Sequence, residues 1–159
     1  MTPENYCFIK RYGNILYMTE INLFMSAVTL NGKTGICAAN IYYDGKYIRL
    51  PEYRWTKELA NRSLTAHNIM LLSLIAFLKT YASKGDKITV YTGVDSVCFE
   101  WNHEHIEDGK FYPSTQDKDL WTKVVQIIDA EKIILNFKGS ENTLSSIAML
   151  SKKHICGDV

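Results

Sequence analysis

The chain has 159 residues, of which 47 % are hydrophobic and 22 % charged, with a formal net charge of +1. This length suits one domain with a real core, and the composition excludes a disordered chain. The near-neutral balance excludes a binder held to nucleic acid by bulk positive charge, though it leaves room for a local patch.

Residues 1–18 read as an extension with an extra hairpin, Tyr6–Ile9 and Ile15–Met18 flanking Tyr12-Gly13-Asn14; residues 19–159 read as one domain. Met1 to Asn5 lacks the basic-then-apolar order of a secretion leader. The four cysteines, Cys7, Cys37, Cys98 and Cys156, form no Cys-x-x-Cys pair. That spacing argues against zinc and predicts free thiols in a reducing, cytoplasmic setting.

Ile21–Met25 is a first strand, followed by an Asn31-Gly32-Lys33 turn. Gly35–Tyr43 is a second strand. Asp44-Gly45 then marks a hairpin, because this pair readily takes the positive φ of a tight turn. Lys46–Arg54 returns as a third strand, frayed by Pro51. Tyr42, Tyr43, Tyr47 and Tyr53 make this meander aromatic, which strand packing explains better than a base-stacking platform.

A helix comes next, with Asn61, Ser63 and Thr65 as candidate N-caps. Leu64, Leu71, Leu72, Ile75, Leu78 and Ala82 follow helical spacing, while Ile69, Ala76 and Phe77 occupy the other face, so the helix is buried nearly all round. Its apolar run is about ten residues, too short to cross a bilayer, and no membrane partner is expected. Gly85 stops it. Lys87–Thr92 is a strand, Asp95–Trp101 a short helix and residues 102–116 a polar loop. Asp117–Ala130 is a helix, Ile133–Phe137 the last strand and Ser145–Lys153 a closing helix.

Several local sequences share this order. Thr65-Ala66-His67-Asn68-Ile69-Met70-Leu71 parallels a Thr-Asn-Asn-x-x-Glu-Leu pattern. Tyr91-Thr92 sits where a strand ends in Thr-Asp-Ser. Asp119-Leu120-Trp121 parallels an Asp-Leu-Trp helix start, Asn136-Phe137-Lys138-Gly139 a Trp-x-Lys-Gly-His segment and Glu141-Asn142 a Glu-Asn that follows it. Together, over residues 19–155, the chain resembles type 1 ribonuclease H. The resemblance implies an α/β ribonuclease-H-like fold, with a mixed five-stranded sheet made of an antiparallel β1-β2-β3 meander and parallel strands, flanked by helices.

It also implies a site in which four carboxylates hold two Mg²⁺ ions that cut the RNA strand of an RNA/DNA hybrid. Here the four carboxylate slots fall on Ser26, Met70, Gly93 and Ser146, and the mobile histidine slot on Ser140. Neutral groups do not offset two dications, and a thioether is a poor Mg²⁺ ligand. No catalytic residue is therefore assigned.

Asp95 is the one residual metal candidate, through a two-residue bulge; its other reading is an N-cap for the helix it opens. Glu20 and Glu100 are the carboxylates a divergent nuclease would recruit. Thr65, His67, Asn68 and Lys138 are the candidate nucleic-acid contacts, each with capping or solvation as the alternative. His103-Glu104-His105 and Lys152-Lys153-His154 read as a solvated loop and a helix-end charge effect.

The expected function is a ribonuclease-H-like domain that binds RNA, an RNA/DNA hybrid or a protein partner without cleaving and without a cofactor. The alternative is a divergent Mg²⁺-dependent ribonuclease H.

Overall fold

A computed structural model describes residues 20–43, 46–103 and 117–139. Residues 1–18, the tip of the Asp44-Gly45 turn, Ser140, Ser146 and the Ser145–Lys153 helix lie outside the described residues, as do Cys7, Cys156, Glu104 and His105. In chain order the elements are β1 (Glu20–Leu30), β2 (Thr34–Tyr43), β3 (Lys46–Arg49), β4 (Tyr53–Thr56), α1 (Lys57–Ala60), α2 (Ala66–Thr80), β5 (Lys87–Thr92), α3 (Asp95–His103), α4 (Lys118–Glu131) and β6 (Ile134–Gly139).

The sheet runs β3-β2-β1-β5-β6, with β4 also on β2. β1 and β2 are antiparallel, joined by a turn in which Asn31 and Gly32 take the positive φ that this pair tolerates. β1 and β5 are parallel, as are β5 and β6, so α2 and α4 serve as crossover helices.

The sheet has six strands rather than five because the expected third strand is broken. Arg49 pairs with Asn40 and Tyr53 with Cys37. Three residues, Leu50-Pro51-Glu52, thus face Ala38 and Ala39 and make a bulge. Leu50 still donates its N–H to Ala39 O at 2.9 Å, whereas Pro51 has no N–H to give. The four-residue α1, capped by the Thr56 hydroxyl accepting from Leu59 N, also escaped the reading of the sequence.

One face of β1, formed by Ile21, Leu23, Met25 and Ala27, packs in a single core with Ile69, Met70, Leu74 and Phe77 of α2. Alternation puts Phe24 and Ser26 on the other face, where Phe24 stacks on Tyr91 at a 4.9 Å centroid separation. α2 is buried along nearly its whole length, as its apolar run predicts. Gly35 lets it sit close to the sheet. A Cβ there would lie 2.1 Å from Ile69 Cδ1, 2.9 Å from Ile69 Cγ1 and 3.2 Å from the Val28 carbonyl oxygen.

Gly35→Ala is therefore expected to cost about 1–3 kcal/mol in urea denaturation. Ile69→Ala in the same chain should recover part of that loss, a non-additivity that only direct contact produces.

Cys37 and Cys98 are free thiols, as the scattered spacing predicts. Burial pushes the Cys37 thiol up to about 12. Cys98 rises to about 11, from burial and the nearby Asp95 charge. Neither supplies a thiolate at neutral pH. No helix among the described residues is long and apolar enough to cross a membrane.

Candidate functional site

The parallel β1–β5 ladder ends with Met25 opposite Thr92. Ser26 and Gly93 follow that last rung, so the resemblance's first and third carboxylate slots both lie just past the end of the parallel β1–β5 ladder. Ser26 is buried and Gly93 carries no side chain. Met70, in the second slot, is 0 % exposed within the apolar core. These groups do not fit a pair of hard dications: a hydroxyl and a sealed thioether offer no negative charge.

Glu20 and Glu100, the carboxylates a divergent nuclease would recruit, are placed elsewhere. Glu20 opens β1 six residues before Ser26, about 20 Å away at roughly 3.3 Å per residue, and faces Lys87 Nζ at 3.6 Å. Glu100 is buried and bonded to His67 and Trp121. Asp95 is exposed and is the first residue of α3. It lies inside the helix rather than capping it: the bond at this entry is Val94 N–H donating to Thr92 Oγ1 at 3.1 Å. Among the described residues, no three His, Cys, Asp or Glu side chains are grouped so as to hold a metal.

The four candidate nucleic-acid contacts do not share one surface. Thr65 is the N-cap of α2. Its hydroxyl accepts from Asn68 N at 3.1 Å, and Asn68 Oδ1 accepts from Thr65 N at 3.0 Å. Asn68 Nδ2 also donates to Ser63 O at 2.8 Å. Asn68 is 3 % exposed, and its amide is spent at one end on the capping box and at the other on Ser63 O. His67 is equally buried. Thr65 and Lys138 remain exposed, Lys138 on β6 beside Tyr91. The strand runs two residues further than expected and takes Lys138 and Gly139 into the sheet.

A polar network that the sequence did not announce surrounds His67. Its Nδ1 lies 2.6 Å from Asp117 Oδ2 and its Nε2 2.8 Å from Glu100 Oε2. Trp121 Nε1 donates to the same Glu100 oxygen at 2.5 Å. Arg62 Nη1 donates to Asp117 Oδ1 at 3.1 Å, and Arg62 also pairs with Asp119. The Arg62 guanidinium holds the Asp119 carboxyl below its usual range. In turn, the hydrogen bond that Arg62 donates to Asp119 raises Arg62.

Asp117 stands in a left-handed conformation (φ 54°) one residue before α4 and makes no side-chain capping bond; its carboxylate turns to His67 and Arg62 instead. One signal could have pointed to Glu100. It lies three residues after Val97 on the inward face of α3, a carboxylate on an apolar stripe.

No family model matches the chain, and no curated protein does. Solved structures match its fold. LC9-RNase H1, described as a type 1 RNase H with the type 2 active-site motif, aligns with TM-score 0.53 and 12 % identity over 91 % of this chain and 75 % of that one. The foamy viral protease-reverse transcriptase, solved in complex with an RNA/DNA hybrid, aligns with TM-score 0.51 and 13 % identity over 85 % of this chain and 19 % of that one. The chain therefore has a ribonuclease-H-like α/β fold, with a mixed six-stranded sheet flanked by helices.

Proposed function

We propose that this chain is a ribonuclease-H-like module that engages nucleic acid, RNA or an RNA/DNA hybrid, without cutting it by two-metal hydrolysis. The observation that carries the reading is the trio Ser26, Met70 and Gly93 in the family's carboxylate slots, with Met70 sealed in the core. The burial of Glu100 and the remoteness of Glu20 support it, since neither is placed to substitute. A nucleic-acid partner draws support from the fold shared with a reverse transcriptase solved on an RNA/DNA hybrid. Of the four candidate contacts, Lys138 and Thr65 are the exposed ones that could meet a phosphate backbone.

The test is incubation with Mg²⁺ or Mn²⁺ and a labelled RNA/DNA hybrid, read both by gel shift and for cleavage. Retention of intact hybrid, weakened by salt and by Lys138→Ala, is expected. Robust cleavage that disappears in Asp95→Ala would overturn the non-cleaving reading and establish a divergent nuclease. Intact hybrid with no retention would remove the nucleic-acid partner.

A further inference from the structure

We infer that the β6 margin of the sheet binds a second copy of this chain, strand against strand, about a twofold axis at Asn136. β6 ends the order β3-β2-β1-β5-β6 and, among the described residues, pairs only with β5. Ile134 N donates to Asp86 O at 2.9 Å. In a parallel ladder this turns the backbone groups of Ile134, Asn136 and Lys138 toward β5. Leu135, Phe137 and Gly139 then turn theirs outward. Among the described residues those outward groups have no partner. A row of this kind is completed by adding a strand. α3 meets β6 on its core face, where Trp101 packs on Phe137 at a 5.3 Å centroid separation.

The side chains single out a second copy as the strand that fits. Hydrogen-bonded pairs form only between residues whose groups face outward. Leu135 of each copy therefore pairs with Phe137 of the other when Asn136 faces Asn136 across an antiparallel twofold. In that register Ile134 stands opposite Lys138 of the other copy. Ile134 is 46 % exposed, an apolar side chain left in water. The methylene stem of the opposing lysine covers it, while the ammonium stays solvated. The same contact recurs on the far side of the axis.

At the axis two neutral Asn136 amides meet, each with a donor and an acceptor for the other. A slip that set Lys138 against Lys138 would oppose two cations, so charge selects the Asn136-centred register over that one. A net charge of +1 leaves little repulsion between whole copies. The pairing needs no nucleic acid and goes beyond the function proposed above. A single pair of six-residue strands is a small interface. The dissociation constant is therefore expected on the order of micromolar or weaker.

The experiment uses the full chain labelled with ¹⁵N. Sedimentation from low micromolar to near-millimolar concentration is expected to show one chain giving way to two. Amide exchange over the same range should show Leu135 and Phe137 fast when dilute and protected when concentrated. Asn136→Asp and Asn136→Lys each set like charges across the axis, and each should self-associate about two- to fivefold more weakly at low salt. Mixed in equal amounts, the two variants should recover the association as a one-to-one pair.

A single chain at every concentration would overturn the proposal. So would a dimer in which the Leu135 and Phe137 amides stay unprotected, which would use another surface. Protection that dilution does not change would mean that the margin is closed within one chain, and a mixture no stronger than its components would refute the register and the partner together. If either variant fails to fold, the exchange measurement on the unaltered chain decides the matter.

Discussion

Replacing Met70 by glutamate is expected to destabilise the protein by about 4 kcal/mol at pH 7, and by less as the pH falls. The substitution restores the residue type that a two-metal site needs at this helix position, so a cleft merely short of one ligand would accept it. The structure gives Met70 no such cleft, since it is fully buried among apolar side chains.

A carboxylate there must either stay charged without solvent or take up a proton. Protonating a group of ordinary pKa roughly 4.3 at pH 7 costs about 1.36 kcal/mol per unit, which sets the magnitude. The folded-state pKa is raised, so the folded variant holds a proton that its unfolded chain has lost. Its stability therefore falls as pH rises above about 4.3 and recovers toward wild type below it. Met70→Leu, which keeps the volume and adds no charge, should cost under about 1.5 kcal/mol. Urea titrations of both variants at pH 4.5 and 7.5 check the difference. A Met70→Glu chain as stable as wild type at neutral pH would mean that this position opens to water and that the sealed-site argument is wrong.

The second large effect is expected at Trp121. It is fully buried, and its ring stacks on Trp101 at 6.0 Å and meets Phe137 edge-on at 5.8 Å. Through Nε1 it also supplies a donor to the buried Glu100. Trp121→Ala should cost about 3–5 kcal/mol in cavity and lost burial, plus the cost of depriving a buried carboxylate of a partner. Trp121→Phe separates the two terms. It keeps most of the apolar contact and removes the N–H, so a loss of about 1–3 kcal/mol is expected. Equal stabilities for Trp121→Phe and wild type would show that the indole donor contributes nothing.

Much of the frame was legible because its signals are local. Strand β5 is bounded where Lys87–Thr92 alternates, and its burial alternates in step. The helix around Met70 announced itself by apolar residues on every face. The Asn31-Gly32 turn needed no tertiary information.

What escaped depends on partners distant in the chain. Pro51 hinted at fraying, but only the pairing of β2 with both Arg49 and Tyr53 shows a bulge and two strands. At the site, the neutral residues in the carboxylate slots could be read one by one. The role of His67 could not, because its partners lie 33 and 50 residues away. Asn68 is a candidate contact by its place at the start of the long helix, with capping as the alternative. Its amide closes the capping box and bonds Ser63, an arrangement that needs the helix entry to be folded before it can be seen.

The bulge at Leu50-Pro51-Glu52 bears also on self-association. β3 lies at one margin of the sheet, with β4 beside it on β2. An unbroken strand from Lys46 to Thr56 would offer a long row of backbone donors and acceptors to a second chain, the usual template for edge-to-edge aggregation. Here that row is cut into two four-residue pieces that differ in register by one residue. The cut is flanked by charge, since Glu52 bonds both Arg49 and Arg54 across it. A docking strand would have to follow the kink and displace or desolvate those ion pairs. The same proline that made the third strand hard to read thus protects the sheet from growing through that margin.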